Sequence, residues 1–188
     1  MVEQNKNLSL DDIAPEYREL VTRQEYEKKP QIEGVKIIEA KHFVAEDGSF
    51  SEIVRLKEGG ELEIEGFPPF QLGQINYSEA IPGTTKAWHF HLKQDEIWYV
   101  EPRGRLIVGL LDLRQNSDTQ GKVIRLILGG GKARLLYIPK GVAHGLANRA
   151  QETVGMVYLV NKQFDGTDEW RLPPDVEVGR DFWEIQEG

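Results

Sequence analysis

From residue 34 onward, short runs rich in Val, Ile, Leu, Phe and Tyr are separated by Gly, Pro, Asp and Asn at intervals of about 8–12 residues. Eleven such runs are read as strands: 35–40, 50–56, 61–65, 72–80, 86–92, 96–101, 105–113, 122–128, 133–138, 145–148 and 153–160. So many short strands suit a closed barrel or a two-sheet jelly roll, which removes or shields strand edges. The fold class expected is therefore all-β. The first thirty residues break this pattern: Ser9 and Asp12 form a capping box, Pro15 follows, and Leu10, Ile13, Tyr17, Leu20 and Val21 recur near helical spacing. A helical extension over 1–33 is expected to pack on the body or on a neighbouring subunit. The barrel is expected over 34–165. The tail over 166–188 is rich in charge, Pro and Trp and is expected to be irregular and to pack on the barrel, with one short helix near Arg180 to Ile185.

Composition narrows the function classes. A chain of 188 residues is one domain long. The net charge of −8 argues against a nucleic-acid or anionic-membrane binder, so an anionic ligand must be met by local cations. With no cysteine there is no disulfide, thiolate nucleophile or thiolate ligand. The longest apolar stretch, Leu106 to Leu111, is far short of the ~18 residues a membrane span needs. The polar start does not read as a signal peptide, and a cytoplasmic location is expected.

The candidate chemistry centres on histidine. His42 stands alone and reads as a solvated surface residue. His89 and His91 lie in KAWHFHL, where the strand period of two sends both imidazoles to one face and Trp88, Phe90 and Leu92 to the other. Glu96 follows five positions later, and His144 comes just after a Pro139–Gly141 turn. This spacing resembles the cupin double signature, a double-stranded β-helix or jelly-roll barrel. Gly83, His89, His91 and Glu96 match its first half, with Gly104 displaced by one residue. Pro139, Gly141, His144 and Asn148 match the second, with Ala133 at its opening glycine. A barrel could bring His89, His91, Glu96 and His144 to one point around a divalent Mn, Fe, Zn, Ni or Co ion. Equally, they could be uncharged lining residues of a metal-free pocket.

Longer motifs resemble one cupin branch, the dTDP-4-dehydrorhamnose 3,5-epimerases of nucleotide-sugar and carbohydrate biosynthesis. Phe50 and Glu52 close a similar acidic turn. Gln74 and Asn76 stand in a similar Gln-x-Asn strand, and Lys86-Ala87-Trp88-His89 replaces Arg-Gly-Leu-His. Asp112-Leu113-Arg114 with Ser117, Thr119, Gly121 and Lys122, the IPKGVAHGL turn and the late strand of Tyr158 complete the likeness. The resemblance implies a cofactor-free reaction on a nucleotide-linked 4-keto-6-deoxyhexose. In it His89 is the base, Tyr158 the acid, and Gln74, Asn76, Lys86 and His144 bind substrate. It also implies a homodimer. The aromatic residues Trp88, Phe90, Trp98 and Tyr99 exceed what one outer barrel face would expose, so some are expected to meet a partner.

Departures from the family pattern are informative. Lys86 keeps the charge of the family's arginine but loses its bidentate fork. Asp47 and Glu96 stand where cations are expected, disfavouring a diphosphate. The late Asp that orients the catalytic His is lacking, with Asp175 and Asp181 as candidate replacements. Two enzymatic readings stay open. One is the metal-free epimerase. The other is a metal-dependent cupin enzyme, a sugar or sugar-phosphate isomerase or a dioxygenase, with His89, His91, Glu96 and His144 as ligands. A silent sugar-binding cupin is the third.

Overall fold

The structure, a computed structural model, describes residues 7–23 and 31–186. Two five-stranded antiparallel sheets face each other. Their strands are β1 (Lys36–Glu39), β2 (Lys41–Ala45), β3 (Gly48–Glu52), β4 (Gln74–Ala80), β5 (Thr85–Phe90) and β6 (Glu96–Val100). The remainder are β7 (Arg105–Asp112), β8 (Val123–Gly129), β9 (Arg134–Ile138), β10 (Val142–Ala147), β11 (Val154–Val160) and β12 (Trp170–Arg171). One sheet runs β1-β9-β6-β11-β4, the other β12-β5-β10-β7-β8, and β2 and β3 form a separate hairpin.

The period of two explains how strands apolar on both faces are satisfied. Trp98, Val108, Leu110, Leu136, Ile138, Leu146 and Met156 meet between the sheets. The alternate positions Ile97, Tyr99, Leu135, Tyr137 and Leu159 turn outward and are covered by Leu62 and Phe70. On the outer face of the second sheet Trp88, Ile107, Leu111, Ala143 and Ala147 are covered by Trp183 of the tail. The expectation that these aromatics serve a partner is therefore corrected. Trp88, Trp98 and Tyr99 are at most 6% exposed within one chain, and Phe90 stacks near Trp170.

Strand positions differ from expectation in a few places. The 61–65 run forms only isolated bridges, Leu56 to Leu62 and Glu61 to Gln71, because it wraps over the sheet face and not along an edge. β2 and β12 were not expected, and β10 begins three residues earlier than read, which places His144 inside a strand. At the N-terminus there is a 3-10 turn at Leu10–Asp12 and a single helical turn, α1 (Pro15–Arg18), with no buried residue in either. The expected packing of this stripe on the barrel is thus not made by residues 7–23; the rest of 1–33 lies partly outside the described residues. The tail carries one 3-10 turn, Arg180–Trp183.

The Asp-Leu-Arg segment is an anchor. The buried Asp112 carboxylate accepts from Arg114 Nε at 2.8 Å, Ser117 Oγ at 2.6 Å and Thr119 Oγ1 at 2.7 Å. Arg114 Nη2 then donates to the Glu33 carbonyl at 2.6 Å, tying the start of the barrel to the β7–β8 loop. These donors hold the Asp112 carboxyl far below the usual carboxylate range, against the opposing effect of its burial. Among the described residues no helix is long and apolar enough to cross a membrane.

Candidate active site

Strand register lays the polar residues out in rows. On the first sheet Glu96, Val160 and Gln74 are neighbours across β6, β11 and β4, and Trp98, Tyr158 and Asn76 form the next row. On the second sheet Arg171, His89 and His144 are neighbours across β12, β5 and β10. The two sets face one another and line a cavity of about 420 Å³, together with Ser78, Lys86, His91, Gln94, Phe164 and Glu169.

All eight residues expected at a site line this one cavity: Gln74, Asn76, Lys86, His89, His91, Glu96, His144 and Tyr158. They divide into two groups. At the mouth, Gln74 Nε2 donates to Asn76 Oδ1 at 2.6 Å, and Lys86 Nζ donates to the Glu79 carbonyl at 2.7 Å. His89 Nδ1 lies 3.4 Å from a Glu169 carboxylate oxygen. At the floor, His91 Nε2 lies 3.1 Å from Glu96 Oε1, and His144 Nε2 lies 3.7 Å from Glu96 Oε2. The four-ligand set with His89 does not form. His91, Glu96 and His144 bring their ligand atoms within 4.8 Å of one another, whereas His89 groups instead with His91 and Glu169. β5 stops at Phe90, and His91 lies beyond it, where its carbonyl accepts from Gly141 N at 2.7 Å.

Glu169 and Arg171 were missed. Each sits in the short stretch after the 3-10 turn Gly166–Asp168, where an isolated acid and a two-residue strand carry no periodic signal. Asp168, buried, accepts from the backbone N–H groups of Leu92 and Lys93 and so docks that stretch against the end of β5. Asp175 lines a different cleft, beside Arg149 and Trp183, and Asp181 lies in the 3-10 turn near it. Of the two acids taken to have displaced pocket cations, Glu96 lines the cavity; Asp47 sits in the β2–β3 turn, away from it. His42 is half-buried and shares a hydrogen bond with Ser51 Oγ at 2.8 Å.

Ionisation follows from these surroundings. Burial and the nearby Arg171 lower the pKa of His89, with Glu169 opposing, so the ring is neutral near pH 7. Burial raises the Tyr158 phenol, helped by the charges of Glu96 and Glu169, so it stays protonated. Burial pushes His144 down to about 4. For His91, burial works against the charge, but the hydrogen bond and charge of Glu96 prevail and raise it. Glu96 is lowered despite its burial, by the adjacent imidazoles and by Trp98 Nε1, which donates to it at 2.6 Å.

A jelly roll with a neutral imidazole and a protonated phenol on facing sheets sets a proton acceptor opposite a proton donor across one cavity. A sequence model of the dTDP-4-dehydrorhamnose 3,5-epimerases matches residues 29–182, and the chain belongs to that family, whose members are isomerases. It is 36% identical over 149 residues to the spore coat polysaccharide biosynthesis protein SpsL of Bacillus subtilis, covering 78% of this chain and 93% of SpsL. To the probable low-salt glycan biosynthesis epimerase Agl13 of Haloferax volcanii it is 28% identical, covering 84% and 97%. The crystal structure of the 3,5-epimerase RmlC from Legionella pneumophila, in complex with dTDP-4-keto-L-rhamnose, superposes with a TM-score of 0.70 at 27% identity. That match covers 85% of this chain and 83% of RmlC.

Proposed function

We propose that the cavity epimerises a nucleotide-linked 4-keto-6-deoxyhexose, a dTDP sugar, at C3 and C5, with His89 as base and Tyr158 as acid. The observation that carries this reading is their placement on opposite sheets of one cavity in a chain of this family. A 4-keto group acidifies the C–H bonds on either side of it. His89 removes the proton from one face, and the enolate is reprotonated by Tyr158 from the other, which inverts the carbon. The Glu169 carboxylate beside Nδ1 favours the tautomer with the proton on Nδ1, leaves Nε2 free to act, and offsets the charge of the imidazolium that forms. It takes the place of the orienting carboxylate that the family pattern led us to expect further along the chain.

Lys86 and Arg171 carry positive charge at the mouth and would meet the diphosphate, while Gln74 and Asn76 offer hydrogen bonds to the sugar; His144, expected to do the same, has Nδ1 on the Val142 carbonyl and Nε2 turned to Glu96. These steps call on no cofactor. The family match favours this chemistry over the metal-dependent isomerase or dioxygenase. A homodimer belongs to the reading: Ile75 and Tyr77 of the edge strand β4, and Phe43 and Phe50 of the β2–β3 hairpin, are each at least 59% exposed. So does a cytoplasmic location, where nucleotide sugars are made. The decisive experiment is incubation of dTDP-4-keto-6-deoxyglucose with the protein in deuterated water. Deuterium at C3 and C5, abolished by His89→Ala and Tyr158→Phe and unchanged by chelator, is expected; no incorporation with the folded wild-type protein overturns the reading.

A further inference from the structure

The cavity floor holds a group of side chains that the epimerisation does not use as acid or base. We propose that His91 Nε2, His144 Nε2 and the Glu96 carboxylate form a three-ligand site for one divalent transition-metal ion, with its remaining position open to the cavity.

Four observations on this chain carry the proposal. The first is separation. Ligand atoms about 2.0–2.1 Å from a tetrahedral zinc stand about 3.4 Å from one another. The Glu96 oxygens lie 3.1 Å from His91 Nε2 and 3.7 Å from His144 Nε2, on either side of that value. The second is tautomer. His91 Nδ1 is 2.7 Å from the Asp168 carbonyl and His144 Nδ1 is 3.1 Å from the Val142 carbonyl. A carbonyl only accepts, so both rings donate from Nδ1; His144 then presents an Nε2 lone pair to the floor, and His91 presents one once an ion displaces the Nε2 proton it shares with Glu96. Outer hydrogen bonds of this kind are what orient metal-ligating histidines.

The third is the carboxylate's own support. Gln94 Nε2 donates to Glu96 Oε1 at 2.9 Å and Trp98 Nε1 to Oε2, so the acid is aimed and each oxygen retains a further lone pair. The fourth is burial. The three side chains are 5 to 6% exposed, and the lone pair on His144 Nε2 faces a carboxylate that cannot donate to it. A cation between them satisfies all three at once. Two imidazoles and one carboxylate make a borderline donor set, suited to zinc, cobalt, nickel or iron(II) and not to the hard ions that prefer oxygen. The neighbouring group of His89, His91 and Glu169 lacks this property: there His91 would have to use Nδ1, which is committed to Asp168.

The test is cobalt(II) titration of chelator-stripped protein, followed by its visible absorption bands, with zinc(II) calorimetry alongside. One equivalent per chain is expected. His144→Gln and Glu96→Gln should each abolish saturable binding, His89→Ala should keep it, and Trp98→Phe, which removes the N–H that aims Glu96 together with part of the ring packed on His144, should weaken it about 10–100-fold. Circular dichroism checks that each variant is folded; if Glu96→Gln is not, His144→Gln alone decides. Failure of the folded wild-type protein to bind one equivalent overturns the site, as does loss of binding in His89→Ala with retention in His144→Gln. Since the readout is not activity, either result leaves the deuterium experiment free to stand or fall separately.

Discussion

The mouth and the floor of the cavity each pair a histidine with a glutamate at similar distance, 3.4 Å for His89 and Glu169 and 3.1 Å for His91 and Glu96. Their ionisation nevertheless moves in opposite directions. At the mouth the burial of His89 and the charge of Arg171 outweigh Glu169, which is one-third exposed, so the imidazole loses its charge more readily than usual. At the floor Glu96 is buried and the Asp168 carbonyl takes the second ring proton, so the imidazole holds its charge more firmly. A histidine near a carboxylate is thus made a base or a fixed cation by the groups around the pair, and by how much water reaches it.

Substitutions can break this contrast in order of effect. His89→Ala removes the base and should reduce kcat by about 10²–10⁴-fold while leaving the melting temperature nearly unchanged; measurable turnover at the wild-type rate would assign the proton transfer elsewhere. Glu96→Ala leaves a buried imidazolium and the Trp98 N–H without their acceptor and should cost about 3–5 kcal/mol in urea unfolding with chelator present. The corresponding change at the mouth, Glu169→Ala, should cost no more than about 1 kcal/mol, because its pair is wet. Equal losses for the two would erase the distinction between mouth and floor.

The smallest effects are in the pH profile of kcat/KM. His89 must be neutral to accept a proton, so activity falls as pH drops through its pKa. Since that pKa is lowered, the acid limb should lie below the ordinary imidazole value of about 6.5. Arg171→Gln removes a nearby positive charge and should move the limb to higher pH. Glu169→Gln removes a negative one and should move it lower. Shifts in the same direction for both variants would contradict the arrangement at the mouth.

The all-β class and the barrel's sheet-forming runs were legible because the period of two and the Gly and Pro punctuation are local signals. His89, His91, Glu96 and His144 were legible as neighbours because their spacing resembles a known barrel pattern. Their division was not, since it depends on β5 ending at Phe90, which frees His91 to turn its Nδ1 to Asp168 and its Nε2 to Glu96. Glu169 and Arg171 were invisible for a related reason: a two-residue strand is defined by what it pairs with, not by its own sequence. The aromatic count misled because the tail, read as irregular, is what covers Trp88.

That cover bears on handling the protein. Gly109 and Gly145 are cross-strand partners on β7 and β10, and a methyl group on either would come within 3 Å of the Trp183 ring. The indole therefore sits in a notch two bare glycines wide, one residue from His144 and pressed on Trp88, the neighbour of His89. A chain shortened ahead of Trp183 would uncover this notch directly behind His89 and His144, and is expected to lose turnover although the removed turn lines no part of the cavity.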